Sequence, residues 1–591
     1  MFSRYFQEEL SYLREVGREF SRGHPQLAPL LADTTADPSV ERLLEGVAFL
    51  TGRIREKLDD ELPEVIHGIT TLLFPQLLRP LPSACIMELQ PHMSVLRETV
   101  SVPRGAEFGS VSTLGVVCRF RSTTETLVIP WEIEQARLES IPGGRQQLRL
   151  EMRLASNLTA NALNTFPARF HIAAERRTAL DLLRHLHENI EDIVVIEKSS
   201  KPGVAPREIS LGKQPFKLVG FEDEHALLLS DKRLFPGYRL LQEYYTLPEK
   251  FAFFDLVGLG KGMRGGEGVD RYDICIRCKG TFPSAQNLDK DWIRLHCVPA
   301  VNLFESSAEP VRVSTRKERF RLRVANLPPP HGIVFAVNDV HHIPHGSSER
   351  VPIPYFYEFA HAGHREQIRA PIFYELHLSQ SMLAEGADSF ISFGTPRDAG
   401  VVPDTEVVSV DLIATNGRVA SNLPMNDIRV PIPMSPAVAK FRNITATTPY
   451  VPAPVGRELA WRMVAQASMG LRSLAEVDVL RALMETHNFH ALVDRQAARA
   501  NELRIDALKT VKVTPVERLF RGAPVRGIGI DVQALEEGFL GEGDLFLFSA
   551  ILDRLFADYV SLNSFSQVSV TGTNTQIKFK WPARSGNTTL L

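Results

Sequence analysis

The sequence predicts a multidomain α+β protein, because the pattern of its residue types changes three times along the chain. Residues 1–82 carry apolar side chains at helical spacing, which predicts an N-terminal helical bundle region. Short β-prone runs separated by Gly, Pro, Asn and Asp then predict central antiparallel β domains, a first with one helix at 83–204 and a second at 205–443. The Thr- and Pro-rich residues 444–456 indicate an extended linker. Helices mixed with strands return at 457–591, which predicts a C-terminal α+β domain.

The composition is that of a globular protein without an obvious polyanionic partner. The 591 residues include 44% hydrophobic side chains and carry a formal net charge of only −3, which favours neither nucleic acid nor an anionic membrane. The charged start MFSRYFQEEL predicts no secretory signal, and the absence of an apolar run of about 18 residues predicts no transmembrane helix. Five cysteines, few and odd in number, favour a reducing cytoplasm over a disulfide framework.

The N-terminal region contains a long helical pattern. Asp37 is placed to cap the helix and Pro38 to occupy its first position. The apolar positions that follow recur at steps of three and four, and we take these as a candidate interface: Val40, Leu43, Val47, Leu50, Ile54 and Leu58. A single helix with so narrow a stripe is expected to pack lengthwise against other helices, either in this chain or in a partner.

The β-rich middle is predicted from runs such as CIMEL, TLVIPWEI and QLRLEMRL, which we expect to form antiparallel strands. One stretch near residues 173–190, AAERRTALDLLRHLHENI, instead predicts a helix with Leu180, Leu183 and Leu186 facing inward. The run DIVVIEK that follows predicts a strand. The middle of the chain is otherwise expected to be β-structure and loops.

The C-terminal stretch from Gly541 to Val570 predicts one helix followed by one strand. Asp544 is expected to be the N-cap. The helical stripe consists mainly of Leu545, Phe548, Leu552 and Leu555, with Asp553, Arg554 and Asp558 off the stripe. Asn563 and Ser564 are expected to break the helix, and alternation then predicts a strand that includes Val568 and Val570. A helix this apolar has to cover a sheet or a partner.

Patterns that carry chemistry are weak throughout the chain. Cys275 and Cys278 form a C-x-x-C pair, but within a predicted strand whose alternation directs them to opposite faces, so we expect buried thiols. Gly527 and Gly529 lack the third glycine of a dinucleotide-binding loop, which favours a strand or β-bulge. Five histidines could form a metal cluster but lack any helical H-E-x-x-H context, so loop histidines are preferred: His341, His342, His345, His361 and His364.

An alternative class stays open on the residues alone. A metal- or carbohydrate-dependent multidomain β enzyme or binding protein would use the histidines of residues 341–364 as its best candidates. Stoichiometric metal in the purified protein would favour that class. No catalytic, cofactor or metal residue is assigned.

Three longer stretches carry a resemblance to a known family. They are YFQEELSYLREVGREFSRGHPQLAPLL with its continuation DPSVERLLEGVAFLTGRIREKLDDELPEVIHGITTLLFPQLLRPLPS, then CVPAVNLFESSAEPVRV at 297–313, and finally GIGIDV with GDLFLFSAILDRLFADYVSLNSFSQVSV. Together they resemble the TssF family, baseplate subunits of the bacterial type VI secretion system, and they lie from one end of the chain to the other. That family is similar to a wedge protein of contractile phage baseplates.

The resemblance implies a structural subunit with neither catalysis nor cofactor. Two copies are expected to join one TssG, TssE is expected to associate with them, and TssK is expected to link this wedge to the membrane complex. Wedges are expected to surround the VgrG spike hub and to initiate the Hcp tube and the sheath. The implied location is the bacterial cytoplasm, docked at the inner membrane through the assembled complex, with no nucleic acid and no direct membrane insertion.

The resemblance also singles out positions with structural roles. We expect Asn302, Leu303, Phe304 and Glu305 to form a turn that holds two sheets together, with an interface as the alternative. The stripe of the C-terminal helix is expected to be core, and the domain around it is expected to make subunit contacts. The family-motif residues near the C-terminus are Leu545, Phe548, Leu552, Leu555, Asn563, Ser564 and Phe565.

Overall fold

The computed structural model describes most of the chain beyond residue 75 and parts of the region before it. The described residues are 6–7, 10, 13, 42–53, 70, 75–93, 96, 98–154, 166–199, 205–229, 236–263, 269–282, 290–313, 318–327, 330–343, 350–356, 372–381, 386–394, 407–453, 476–520 and 523–586. Contacts divide the chain into two compact units. The first comprises residues 1–75 with 456–467, and the second comprises residues 76–455 with 468–591.

The described helices fall into both units. In the first unit, helix α1 is described over residues 42–53. The second unit contains α2 (Arg176–Asn189), α3 (Pro236–Thr246), α4 (Val477–His487), α5 (Arg495–Asp506) and α6 (Glu542–Ala557). Helix α2 confirms the helix predicted near residues 173–190. Helix α3 was not predicted: its sequence PGYRLLQEYYT lies among β-prone runs, and its polar side chains are buried in the fold.

A six-stranded sheet gathers strands from distant parts of the sequence. Numbered in chain order and named in spatial order, its strands are β24 (Ile428–Val430), β3 (Glu107–Ser110), β4 (Arg119–Ser122), β15 (Cys297–Val301), β1 (Ala84–Pro91) and β25 (Ala439–Asn443). Its inner face carries an apolar core that includes Met87, Phe108 and Phe120. A ribbon of β2 (Val100–Val102) and β5 (Thr126–Val128) adds to this core.

Two antiparallel sheets pack together with helix α2. The first has the order β10 (Arg207–Ser210), β9 (Ile190–Ser199), β13 (Val269–Cys278), β7 (Arg145–Leu154), β6 (Trp131–Ile141). The second has the order β11 (Phe216–Leu218), β12 (Phe253–Leu256), β8 (Ala168–Ile172), β14 (Ile293–Leu295). Side chains from both sheets and from α2 form one continuous hydrophobic core.

A further pair of sheets forms the region between residues 304 and 415. One contains β16 (Phe304–Ser307), β23 (Val407–Thr415), β19 (Ile333–Ile343) and β20 (Val351–Pro352), with β17 (Val311–Arg312) also on β23. The other contains β18 (Phe320–Arg321), β22 (Ala387–Gly394) and β21 (Phe373–Gln380). Their facing side chains share a core of their own.

In the described residues of the C-terminal range, α4 and α5 are followed by two strands, α6 and three further strands, so the predicted mixture of helices and strands is present. Its sheet has the order β26 (Leu508–Phe520), β27 (Ala523–Ala534), β28 (Phe565–Gly572), β29 (Lys578–Lys580), with β30 (Arg584–Ser585) also on β28. Strands β27 and β28 are parallel, and α6 is the connection between them. The predicted α+β multidomain class is thereby confirmed for the described residues.

The predicted domain ranges share sheets and helix contacts. The six-stranded sheet takes strands from both predicted β regions, and α6 from the C-terminal range packs on α2 and α3. The extended segment after residue 443 is bonded to β1, where Ala84 N donates to Thr448 Oγ1 (3.0 Å) and Ile86 N donates to Thr445 Oγ1 (2.9 Å). The division into 1–82, 83–204, 205–443, 444–456 and 457–591 therefore stays a prediction.

Candidate functional site

The candidate interface helix presents its apolar stripe outward within the described part of the first unit. Leu43, Val47 and Leu50 are 68%, 39% and 61% exposed, whereas Ala48 and Gly52 on another face of α1 are buried. Val40, Ile54 and Leu58 lie outside the described residues. The i, i+4, i+7 spacing places these three side chains in one row, and this exposed apolar row stays a candidate interface.

Asn302 occupies the point where the chain passes from one sheet to the next. It lies between β15 of the six-stranded sheet and β16 of the neighbouring sheet. Its Nδ2 donates to Arg119 O (2.8 Å) and Asn416 Oδ1 (2.8 Å), and its Oδ1 accepts from Thr415 Oγ1 (2.7 Å) and Asn416 N (2.8 Å). Because Asn302 is fully buried, these four bonds fix the angle between the two sheets.

The residues that follow Asn302 divide into core and surface. Leu303 and Phe304 are buried, and the Arg119 guanidinium lies 4.9 Å above the Phe304 ring centroid. Arg119 also forms an ion pair with Glu107 (Nη2 to Oε2, 2.7 Å), which holds it over that ring. Glu305 is exposed. The structure therefore places this motif as a turn between sheets, with only Glu305 available at the surface.

Helix α6 is a core helix buried on all sides. Leu545, Phe548, Leu552 and Leu555 are fully buried, and the helix packs against α2, α3 and β28. Asp553 and Asp558, which lie off the stripe, are also buried, because other elements cover the side of α6 away from the sheet. The stripe residues thus make core contacts both within the C-terminal range and outside it.

The predicted N-cap at Asp544 is also wrong. The helix begins at Glu542 with Gly541 as its N-cap, and Asp544 turns inward from the first helical turn. Its carboxylate accepts hydrogen bonds from Tyr244 Oη (2.7 Å) and Leu540 N (3.1 Å) and pairs with Arg504 Nε (3.1 Å). One buried carboxylate therefore joins α3, α5 and α6.

Both ends of α6 are fastened to helices that precede it by hundreds of residues. At the first turn, Gly543 N donates to Asp181 Oδ1 of α2 (2.7 Å). At the last turn, Asp558 Oδ2 accepts from Gly237 N in the first turn of α3 (2.6 Å). A Cβ at Gly543 would overlap the α2 backbone at Leu180, and one at Gly237 would lie 2.5 Å from Leu555 Cα. The two glycines therefore permit the close helix crossings.

The segment after α6 anchors the start of β28. The helix ends at Ala557, earlier than the predicted break at Asn563 and Ser564. Ser564 Oγ donates to Arg526 O (2.8 Å), Asn563 is exposed, and Phe565 is buried. A Cβ at Gly527 would lie 2.5 Å from the Phe565 ring, so the G-x-G pattern makes room for an aromatic side chain. Both glycines lie in β27, as the preferred interpretation predicted.

Sequence reasoning missed a buried charged cluster on α3. Glu243 is fully buried; its Oε1 accepts from Leu227 N (2.7 Å) and Leu228 N (3.1 Å), and its Oε2 pairs with Arg239 (3.1 Å) and Lys250. Burial lowers the pKa of Lys250 from 10.5 to about 8, opposed by the attraction of Glu243. The four-residue spacing of Arg239 and Glu243 was the available signal, but it required the helix to be recognised first.

The thiols and histidines considered for metal or redox chemistry show no site in the described residues. All five cysteines are free and buried, and burial raises the pKa of Cys275 to about 11 and that of Cys278 to about 12. His341 and His342 lie on β19, while His345, His361 and His364 lie outside the described residues. Within the described ranges, no group of three His, Cys, Asp or Glu side chains is arranged to hold a metal ion.

Among the described helices, none is both long and apolar enough to cross a membrane.

Fold and contacts define a multidomain α+β protein in which buried charged and amide side chains hold helices and sheets in fixed relation. The chain belongs to the type VI secretion system TssF family, whose family model matches residues 1–588. It is 28% identical, over 628 aligned residues, to the type VI secretion system component TssF1 of Pseudomonas aeruginosa, with 99% of this chain and 98% of that protein covered. The family predicted from the sequence is confirmed.

Solved structures agree with this assignment. The chain matches a subunit of the TssK-TssF-TssG baseplate subcomplex, determined by cryo-electron microscopy, with a TM-score of 0.77 and 26% identity, over 93% of this chain and 99% of that one. It also matches a subunit of a type VI secretion baseplate complex with a TM-score of 0.66 and 26% identity over the full length of both chains.

Proposed function

We propose that the chain is a non-catalytic structural subunit of the type VI secretion baseplate wedge, assembling with TssG and TssK. The observation that carries this proposal is the agreement in fold, over nearly the whole chain, with a subunit solved in a TssK-TssF-TssG subcomplex. The internal contacts support it, because the buried cluster around Asp544 and the junction at Asn302 serve to hold elements rigidly. Rigid wedges are what a ring-shaped assembly needs.

The surface assigned to TssG within this proposal is the stripe of α1. Leu43 and Leu50 are more than half exposed, although leucine is most often buried in folded proteins. In the wedge, two copies of the chain join one TssG, and the stripe of each copy packs in a shared helical bundle with positions Val40, Ile54 and Leu58. The C-terminal range 457–591 contacts the second copy, and TssE, the VgrG hub, the Hcp tube and the sheath join this wedge.

Co-expression tests the proposal directly. The chain and TssG are expected to co-purify at a mass ratio that corresponds to two copies per TssG, and a stable monomer that ignores TssG contradicts the proposal. Leu50→Glu is expected to abolish the complex because a charge enters an apolar bundle. Arg42→Gln changes the net charge by the same amount at an exposed position off the stripe of the same helix, and it is expected to assemble normally.

The proposed location follows from the proposed assembly. The wedge lies on the cytoplasmic side and reaches the inner membrane through TssK and the membrane complex. Fractionation of cells with and without TssK tests this point: the chain is expected to leave the membrane fraction when TssK is absent. Retention without TssK contradicts the proposed route.

A further inference from the structure

The C-terminal sheet has one apolar face and one polar face. Val532 of β27 lies beside Val570 of β28, which lies opposite Phe579 of β29, and all three side chains are buried. Helix α6 covers this apolar face, and Trp581, which follows β29, donates from Nε1 to Ser549 Oγ of α6 (3.0 Å). Because side chains alternate along a strand, the residues between these buried ones lie on the opposite, polar face.

One row of side chains crosses the polar face from β26 to β29. Lys512 of β26 lies opposite Asp531 of β27, and Asp531 lies beside Ser569 of β28. Ser569 lies opposite Lys580 of β29 and donates from Oγ to Asp531 Oδ1. Three strand spacings separate β26 from β29, which places the two outer strands about 14 Å apart. The row therefore presents a cation, a carboxylate and a second cation in that order.

The neighbouring positions add positive charge to this face. The next row contains Thr510, Gln533, Thr571 and Lys578. Arg518 lies further along β26 on the same face and donates to Gln567 Oε1 (3.1 Å). Lys512, Lys578 and Lys580 are exposed, and within the described residues none of their ammonium groups forms an ion pair or a hydrogen bond. The described strand residues of this face thus carry four cations and one carboxylate, in a chain whose formal net charge is −3.

The charge pattern favours a protein over a nucleic acid as the occupant of this face. A solvated protein surface usually intersperses the two signs of charge, so an excess of unpaired cations favours an acidic partner. A nucleic acid carries only negative charge, and Asp531 in the centre of the row repels it. Bases also bind by stacking on aromatic rings, and among the described side chains of this face no aromatic ring is exposed, since Phe565 is buried.

We propose that the polar face of the C-terminal sheet binds the acidic surface of a partner protein other than a second copy of this chain. Acidic groups of the partner meet Lys512 and Lys580, and a basic group between them meets Asp531. The bond from Ser569 holds the Asp531 carboxylate in place for this contact. The inference goes beyond the proposed contact of α1 with TssG and uses none of its residues, so its failure leaves that contact untouched.

Peptide binding to the full-length chain tests the charge pattern by fluorescence anisotropy. The probe is a labelled peptide with two glutamates, a central arginine and two further glutamates, all separated by glycine. The comparison peptide has glutamate in place of the arginine. The probe is expected to bind about threefold or more tightly than the comparison peptide, although it carries less negative charge, because its arginine pairs with Asp531. Absence of saturable probe binding, or equal or tighter binding of the comparison peptide, overturns the proposal.

Paired charge reversals locate the site. Lys512→Glu with Lys580→Glu is expected to weaken probe binding by about tenfold or more, because both cations become repulsive. Arg429→Glu with Lys440→Glu makes the same charge change at exposed positions of β24 and β25 and is expected to leave binding unchanged. Equal weakening by both pairs overturns the proposal.

Asp531→Asn tests the central carboxylate without a change in size. The amide oxygen of asparagine still accepts a hydrogen bond from Ser569, so the fold of the sheet is expected to be kept. The preference for the arginine-containing probe over the comparison peptide is expected to disappear. If this preference persists in the variant, Asp531 does not select the partner and the proposal is wrong.

Two other occupants give distinct results. Displacement of the probe by a single-stranded oligonucleotide at a concentration equal to that of the comparison peptide would show a general anion site and contradicts the proposal. Sedimentation velocity tests for a second copy of the chain. Self-association that Lys512→Glu with Lys580→Glu abolishes would assign this face to a second copy and likewise contradicts the proposal.

Discussion

Asp558 accepts a hydrogen bond from the backbone N–H of Gly237, over a distance of 2.6 Å, and thereby places a buried carboxylate at the N-terminus of another helix. Asp558 follows the last residue of α6, and Gly237 is the second residue of α3. An acceptor with negative charge is favourable there, because the first N–H groups of a helix lack partners and carry partial positive charge. The end of one helix therefore fixes the start of another.

Removal of this carboxylate is expected to loosen α3. Asp558→Ala leaves the Gly237 N–H without its acceptor in a buried site, at an expected cost of about 2 kcal/mol. Hydrogen exchange of the α3 amides measures this loss as a local free energy of opening. Asp506→Ala is the control, because Asp506 is exposed and its side chain forms no hydrogen bond or ion pair within the described residues. An equal effect from both substitutions contradicts the assigned role.

The junction at Asn302 is expected to be the most sensitive position of its motif. Asn302→Ala removes four hydrogen bonds and leaves buried donors on Thr415 and Asn416 unpaired, which is expected to cost about 3 kcal/mol. Glu305→Ala changes an exposed residue of the same motif and is expected to stay within about 0.5 kcal/mol of wild type. Thermal unfolding compares the two. If Glu305→Ala destabilises the fold as much as Asn302→Ala does, the buried hydrogen bonds of Asn302 are not what makes this motif important for stability.

The sequence was sufficient to predict helices, whose pattern lies within one segment, but not the buried carboxylates, whose partners lie far away in the sequence. The periodicity of α2 and of Leu545 to Leu555 was sufficient to predict both helices, since a stripe is encoded within one segment. The burial of Asp553 and Asp558 was not predicted, because their partners, Arg584 and Gly237, are not adjacent in sequence. A buried carboxylate is recognised only when the donor that compensates it is known.

The same limit applies to α3 and to the interface stripe. Helix α3 has its polar residues at helical spacing, but the run lies among β-prone sequences and every one of these side chains is buried, so it was not recognised as a helix: Arg239, Gln242, Glu243 and Thr246. Leu43, Val47 and Leu50 have the period that was predicted, and the structure shows that they are exposed in the chain alone. That a partner covers them is a proposal, because the spacing of these residues does not identify one.

Acid is expected to destabilise the fold through buried histidines such as His487. This ring stacks on Tyr238 of α3, with ring centroids 5.0 Å apart, and burial lowers its pKa from 6.5 to about 4. Below pH 6.5 the unfolded chain binds a proton that the folded chain does not, so stability falls as the pH drops from 6.5 towards 4. The contribution of this one residue at the lower limit is about 3 kcal/mol.

His487→Phe tests this pH dependence, because phenylalanine keeps an aromatic ring against Tyr238 but cannot be protonated. The thermal midpoint of the variant is expected to fall less steeply than that of wild type between pH 6.5 and 4. His92→Gln replaces an exposed histidine and is expected to keep the wild-type slope. Identical slopes for all three proteins contradict the assignment.

The crossing of α6 and α2 is expected to tolerate no side chain at Gly543. A Cβ there would overlap the backbone of Leu180 and Asp181, and backbone atoms cannot relieve the overlap by a rotamer change as a flexible side chain can. Gly543→Ala is therefore expected to separate α6 from α2, to break the bond from Gly543 N to Asp181, and to cost about 3 kcal/mol.

Gly46 provides the matched helical control for this substitution. Nothing lies within 4 Å of a Cβ built at Gly46, so Gly46→Ala gains helix propensity without a clash and is expected to stabilise α1 by up to about 1 kcal/mol. Thermal unfolding of the two alanine variants should therefore move in opposite directions. A loss of stability in Gly46→Ala would show that helix propensity does not determine the effect at Gly46. No loss in Gly543→Ala would show that backbone overlap does not determine the effect at Gly543.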